Sequence, residues 1–241
     1  MKLTGVLFDM DGTLVDSEPI WFESDRRFVE YFGGSYDEPF RNECIGMGGK
    51  NFTILIKQKF GLTQSVDELL ALKDRFYLEA AQGRIRAFPE MRKLVEGFAV
   101  EGMPMAVASG SSLEIIEAVL TETGLRGFFG RHLYSSDQVA RSKPYPDLFL
   151  FAAEKLGVDP HDTLVFEDSQ HGVEAGKAAR MKVCGVPQVW TEKNAASLKK
   201  ADLLFPRGME EFTAEAVLEW IDSTYCQCGD CTLYELGRCS D

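Results

Sequence analysis

Short apolar runs that stop abruptly at polar residues recur along this chain of 241 residues, and they constrain its fold more than any other feature. Thr4–Phe8 ends at Asp9, Met103–Ala108 at Ser109, His132–Tyr134 at Ser135, and Thr163–Phe166 at Glu167 and Asp168. Runs of this length and composition read as buried strands. Between them lie helix-period segments, Glu90–Glu101, Leu113–Thr123, Pro146–Leu156 and Gly172–Arg180, with Gly124 and Gly157 as C-terminal stops. Such alternation predicts an α/β fold with a doubly wound parallel sheet, whose ligands gather beyond the carboxyl ends of the strands. Val183–Val186 and Leu203–Phe205 are expected to add edge strands, followed by a helix over Glu210–Ser223.

From Ser17 to Arg86 the alternation breaks into helix after helix, as in Trp21–Tyr31, Asn51–Phe60 and Val66–Ala80. This predicts a helical cap inserted into the core: residues 1–16 and 87–223 form the α/β part, 17–86 the cap, and 224–241 a cysteine-rich tail. The joints at Leu14–Ser17 and Gly83–Phe88 suit a hinge.

No stretch approaches the roughly 18 consecutive apolar residues that a membrane span needs, and acids interrupt the N-terminus early, so a cytoplasmic protein is expected. With 26 basic and 38 acidic residues, the net charge of −12 repels polyanions and argues against a nucleic-acid partner. A small anionic ligand is still allowed, because a lysine or a metal ion sets the local field.

The strand ends carry the chemistry. Asp9-Met10-Asp11-Gly12-Thr13 places two acids two residues apart, with a glycine to turn the chain. One carboxylate can attack phosphorus while the other protonates the leaving oxygen and then deprotonates water. Ser109-Gly110-Ser111-Ser112 opens a helix, where hydroxyls and backbone N–H groups can hold a phosphate. Lys143 sits in a turn fixed by Pro144 and Pro146, and Glu167-Asp168 supplies the hard oxygen ligands that suit Mg²⁺.

In order and spacing these four elements resemble the motifs of the haloacid dehalogenase superfamily, whose core is Rossmann-like. The extension Leu14-Val15-Asp16-Ser17-Glu18 resembles its β-phosphoglucomutase-like branch. The resemblance covers Gly5 to about Pro187 and implies a Mg²⁺-dependent phosphatase acting on a small phosphorylated metabolite such as a sugar or polyol phosphate. It implies Asp9 as nucleophile and metal ligand, and Asp11 as general acid/base with its backbone carbonyl on the metal. Ser109 is then the phosphate ligand with Gly110 and Ser111 beside it, Lys143 the charge-neutralising cation, and Glu167 and Asp168 the remaining metal acids. The presence of Asp11 ranks C–Cl and C–P cleavage low.

Sugar-phosphate isomerisation is the alternative reading. Mutases of that branch carry a cap histidine where this chain has Trp21, and a cap-loop arginine where Gly46-Met47-Gly48-Gly49-Lys50 offers Gly49. Gly48 and Lys50 are the cap residues expected to meet substrate, with Lys50 equally readable as a solvated lysine. A non-enzymatic alternative is a metal-responsive or partner-binding protein on an inactive scaffold. A monomer is expected.

The tail concentrates Cys226, Cys228, Cys231 and Cys239 within fourteen residues, a soft-ligand set suited to a structural Zn²⁺ ion, with free thiols as the competing reading.

Overall fold

The structure, a computed structural model, describes residues 2–44 and 48–225. Among the described residues, six parallel strands form one sheet: β1 (Gly5–Phe8), β2 (Met105–Ser109), β3 (Leu133–Ser135), β4 (Thr163–Glu167), β5 (Lys182–Gly185) and β6 (Leu203–Leu204). Their spatial order is β3-β2-β1-β4-β5-β6. The order reverses direction between β1 and β4, the switch point at which open α/β sheets leave a crevice at their carboxyl ends. The doubly wound sheet is as the alternation predicts. One detail differs: β5 lies between β4 and β6, so Val183–Val186 belongs to an interior strand and only the Leu203 run is an edge.

The chain divides into two compact units, Met1–Asp16 with Arg86–Asp241, and Ser17–Ile85. In the second unit the helices are α1 (Glu18–Tyr31), α2 (Glu38–Cys44), α3 (Gly49–Lys59) and α4 (Val66–Ala81). The first unit contributes α5 (Pro89–Val100), α6 (Leu113–Glu122), α7 (Arg126–Phe129), α8 (Asp147–Leu156), α9 (Gln170–Ala178), α10 (Glu192–Leu198) and α11 (Ala214–Tyr225). No described helix is long and apolar enough to cross a membrane.

Local chemistry explains the boundaries. Pro89 opens α5, where its missing N–H costs nothing. Ser65 and Glu68 cap α4 reciprocally. Gly157 ends α8 in the left-handed conformation at φ 77°. The two chain crossings between units are zipped within the sheet unit, where Asp16 N–H donates to Arg86 O at 2.9 Å and Phe88 N–H to Leu14 O at 3.0 Å.

The strands of the sheet centre are buried throughout, and apolar apart from Thr163 and the terminal Ser109 and Glu167, because helices cover both faces. On one face Leu7 and Val165 pack with Leu148, Phe149 and Val173. On the other, Phe8 and Phe166 stack at 5.0 Å between ring centroids with planes 10° apart, and Phe129 meets Phe8 edge-on at 5.8 Å. The helical unit has its own core of Phe28, Val29, Phe40, Phe52, Ile56, Leu69 and Phe76.

Candidate active site

The carboxyl ends of β1 and β4 lie side by side, with Phe8 in register with Phe166. Asp9 N–H continues that ladder by donating to Phe166 O at 3.0 Å, so the first acid is fixed by backbone as well as by the ring stack beneath it. Beyond Asp9 the chain curls tightly: Leu14 N–H donates to Met10 O at 2.9 Å and Gly12 N–H to Val15 O at 3.0 Å. Gly12 holds φ 76°, and a Cβ there would lie 2.5 Å from Asp168 Oδ2. Glycine therefore does two things at that position, permitting the turn and admitting a carboxylate. Gly172 is similar in kind: a Cβ would lie 1.7 Å from Glu167 Cδ, so only glycine in the first turn of α9 leaves Glu167 its place.

Lys143 reaches into the acids from its proline-rich loop, where the Lys143–Pro144 peptide is cis. Its ammonium donates to Asp9 Oδ1 at 2.6 Å, Glu167 Oε1 at 2.5 Å and Ala108 O at 3.0 Å, which uses all three of its protons. Glu167 is held on its other oxygen by Ser169, whose backbone N–H and hydroxyl donate at 3.1 and 3.0 Å. Arg141 braces the loop, making two hydrogen bonds to Asp147 at 3.0 and 2.8 Å while its guanidinium lies 4.5 Å from the centroid of the Tyr145 ring.

One lysine does not balance the charge around it. Carboxylate oxygens of Asp9, Glu167 and Asp168 lie within 4.8 Å of one another, the only such ligand group among the described residues. Burial pushes the Asp9 carboxyl up to about 8, with Lys143 pulling it down and Glu167 and Asp11 adding to the rise. Burial likewise raises Asp168, helped by the neighbouring charges of Glu167 and Asp9. For Lys143 burial works against the charged form, yet Asp9 and Glu167 hold its ammonium above the ordinary range. An all-oxygen set of this kind fits a hard divalent cation such as Mg²⁺, which would offset the burial and the neighbouring charges that raise Asp9 and Asp168.

Around the β2 end, Ser112 caps α6, its hydroxyl accepting from Ile115 N–H at 3.4 Å. The capping task thus falls to Ser112, and Ser109 and Ser111 are left for other work. Ser111 Oγ donates to Asp11 Oδ2 at 2.6 Å, and Ser111 N–H donates to the buried Ser109 hydroxyl at 3.1 Å. Asp11 is therefore brought to the β2 end, and its carboxylate is not one of the clustered three. Gly110 is exposed, with its carbonyl accepting from Ser136 Oγ at 3.1 Å.

Gly48 and Lys50 belong to the helical unit, exposed at the N-cap and first turn of α3, while Gly46 and Met47 lie outside the described residues. Trp21 packs on Tyr77 at 4.1 Å between centroids, and the Lys73 ammonium sits 4.1 Å from its ring centroid. Cys226, Cys228, Cys231 and Cys239 fall outside the described residues. One neighbour of the acid turn was invisible in the sequence. Gln188, in the loop after β5, has its carboxamide carbon 3.1 Å from where a Cβ on Gly12 would stand.

Residues 6–186 match the haloacid dehalogenase-like hydrolase family. A fructose-1-phosphate phosphatase of Escherichia coli is 33% identical over 189 residues, 77% of this chain and 97% of the relative. A bifunctional riboflavin kinase/FMN phosphatase of Arabidopsis thaliana is 31% identical over 91% of this chain, which spans 58% of that protein's length. Among solved structures, a protein described as a β-phosphoglucomutase from Thermotoga maritima superposes with a TM-score of 0.70 at 26% identity, covering 93% of this chain and all of that one.

Proposed function

Because the chain belongs to the haloacid dehalogenase-like hydrolase family, we propose that it is a Mg²⁺-dependent phosphatase, hydrolysing a small sugar or polyol phosphate through a phosphoryl group carried on Asp9. The observation that carries this reading is the pairing of two differently held carboxylates on one turn. Asp9 is gripped by Lys143 beside Glu167 and Asp168, whereas Asp11 is held by a neutral hydroxyl.

In this reading Asp9 attacks phosphorus, and Lys143 neutralises the charge that builds on the phosphoryl oxygens. Ser109 and the N–H groups at the start of α6 hold the transferring phosphate. Asp11, protonated, gives its proton to the leaving oxygen and then takes one from the water that attacks phospho-Asp9, so the cycle restores both carboxyls. Asp9, Glu167, Asp168 and the Asp11 carbonyl would hold Mg²⁺, which supplies further charge compensation for an in-line transfer.

Hydrolysis is favoured over isomerisation by what stands at Trp21, a ring packed between Tyr77 and Lys73 that carries no titratable proton. The fructose-1-phosphate relative, matched over nearly its whole length, supports the same choice and the substrate class. The intact acid pairs argue against an inactive scaffold.

A phosphate-release assay on an aryl phosphate and a panel of phosphorylated metabolites, with and without Mg²⁺, tests the reading. Turnover is expected only with the metal, and Asp9→Asn is expected to abolish it with thermal unfolding unchanged. Phosphatase activity retained in Asp9→Asn would remove Asp9 from this role.

A further inference from the structure

The loop that leaves β5 is anchored on both sides. Val186 N–H donates to Glu167 O at 2.7 Å, and Asn194 Nδ2 donates to Val189 O at 2.7 Å from the capping box that starts α10. Gly208, at φ 58°, lets the chain after β6 press against Pro187, whose carbonyl oxygen would lie 2.4 Å from a Cβ at that glycine. A loop pinned at three points holds its remaining side chains in place. Gln188 is the one turned onto the catalytic loop: its carboxamide carbon and the Asp168 carboxylate carbon lie 3.1 and 2.9 Å from the same point above Gly12.

Gln188 is half-buried, and its carboxamide makes no hydrogen bond to the described residues. Its amide nitrogen and oxygen are not sealed from solvent, so both are open to a molecule that enters beside Gly12. The carboxamide offers donors and an acceptor together, and it cannot titrate against the acids beside it. A hydroxyl group, itself donor and acceptor, is the natural complement. The alcohol released from phosphorus lies by necessity near Asp11, the residue that protonates it, and Gly12 follows Asp11 in the chain.

We propose that Gln188 is a specificity-determining residue that hydrogen-bonds a hydroxyl of the leaving group, so that this site selects polyhydroxylated phosphomonoesters over aryl ones. The inference rests on the phosphatase reading and names which residue of the sheet unit enforces its substrate class.

The test compares wild type with Gln188→Leu and Gln188→Asn on fructose 1-phosphate, a hexitol phosphate and p-nitrophenyl phosphate at saturating Mg²⁺. A site built to pair a substrate hydroxyl loses much of its discrimination when that partner is removed. The expected result is a fall in kcat/KM for the hydroxylated substrates at least about tenfold greater than for the aryl phosphate, with an intermediate value for Gln188→Asn and unchanged thermal unfolding. Equal losses on both substrate types, no loss on either, or a raised Mg²⁺ requirement would overturn it, the last by tying Gln188 to Asp168 instead. Wild type that turns over none of the three would remove the phosphatase reading and this inference with it, an outcome distinct from a wild type that is active while Gln188→Leu changes nothing.

Discussion

Among the described residues, Lys73 in the helical unit and Lys143 in the sheet unit are both largely enclosed against acid, and the two are solved differently. In the helical unit Lys73 is 3% exposed and pairs with a single carboxylate, Asp25, at 2.9 Å, with the Trp21 ring 4.1 Å and the Phe52 ring 5.5 Å from its ammonium. Charge meets charge one to one, and aromatic faces take the remainder. In the sheet unit Lys143 faces Asp9 and Glu167 directly, with Asp168 in the same cluster. That surplus is relieved either by protons on the raised Asp9 and Asp168 or by a cation that joins the cluster. The lesson is that burial of a lysine does not announce function; the count of acids around it does.

The sharpest way to break this comparison is to remove each lysine in turn. Lys143→Ala is expected to lower kcat by about a hundred- to a thousandfold, the scale for losing one preorganised charge-stabilising donor. Its unfolding temperature should also fall in metal-free buffer, where Asp9 and Glu167 lose their counter-ion, and recover on adding Mg²⁺. Lys73→Met should cost about 3–5 kcal/mol of stability by stranding Asp25, read by denaturant unfolding, with no recovery by Mg²⁺. If Mg²⁺ rescued both variants or neither, the distinction between a balanced and a surplus site would fail.

Gly172→Ala sharpens the picture of how the surplus is held. The added methyl would overlap Glu167, so the glutamate must move. Overpacking of this kind costs about 1–3 kcal/mol, and the Mg²⁺ concentration for half-maximal activity should rise. An unchanged metal requirement would show that Glu167 need not sit where Lys143 and Ser169 hold it.

The smallest expected effect concerns pH. Burial raises the Asp25 carboxyl above its ordinary value, against the opposing pull of Lys73. The folded chain then binds a proton that the unfolded chain releases, so this group's contribution to stability falls as pH rises from about 4 through the raised value and is flat beyond. Asp25→Asn should remove that part of the slope in denaturation midpoints measured across the acid range. The opposite sign of change would mean that Lys73 outweighs burial.

The first four strands were legible because they are short, mostly apolar runs that stop at acids or serines, a pattern that local sequence alone produces. The interior position of β5 was not, since Lys182–Gly185 is short and only pairing with Leu203–Leu204 distinguishes an edge from a neighbour of one. Three helices, α2, α7 and α10, also escaped, each being seven residues or fewer and too short for a periodicity to register. The meeting of Asp9, Lys143, Glu167 and Asp168 could be expected from four motifs at strand ends. Asp25 with Lys73, and Gln188 beside Gly12, could not, because each depends on long-range packing between residues that carry no motif.

The most direct test of the central claim is to look for the phosphoryl group on Asp9. Wild type mixed with substrate and Mg²⁺, quenched in acid during turnover and digested for mass spectrometry, should yield a phosphorylated peptide whose modified residue is Asp9, and Asp9→Asn should yield none. Steady turnover with no phosphorylated Asp9 under conditions that slow its hydrolysis, or phosphate found on another residue, would contradict the account.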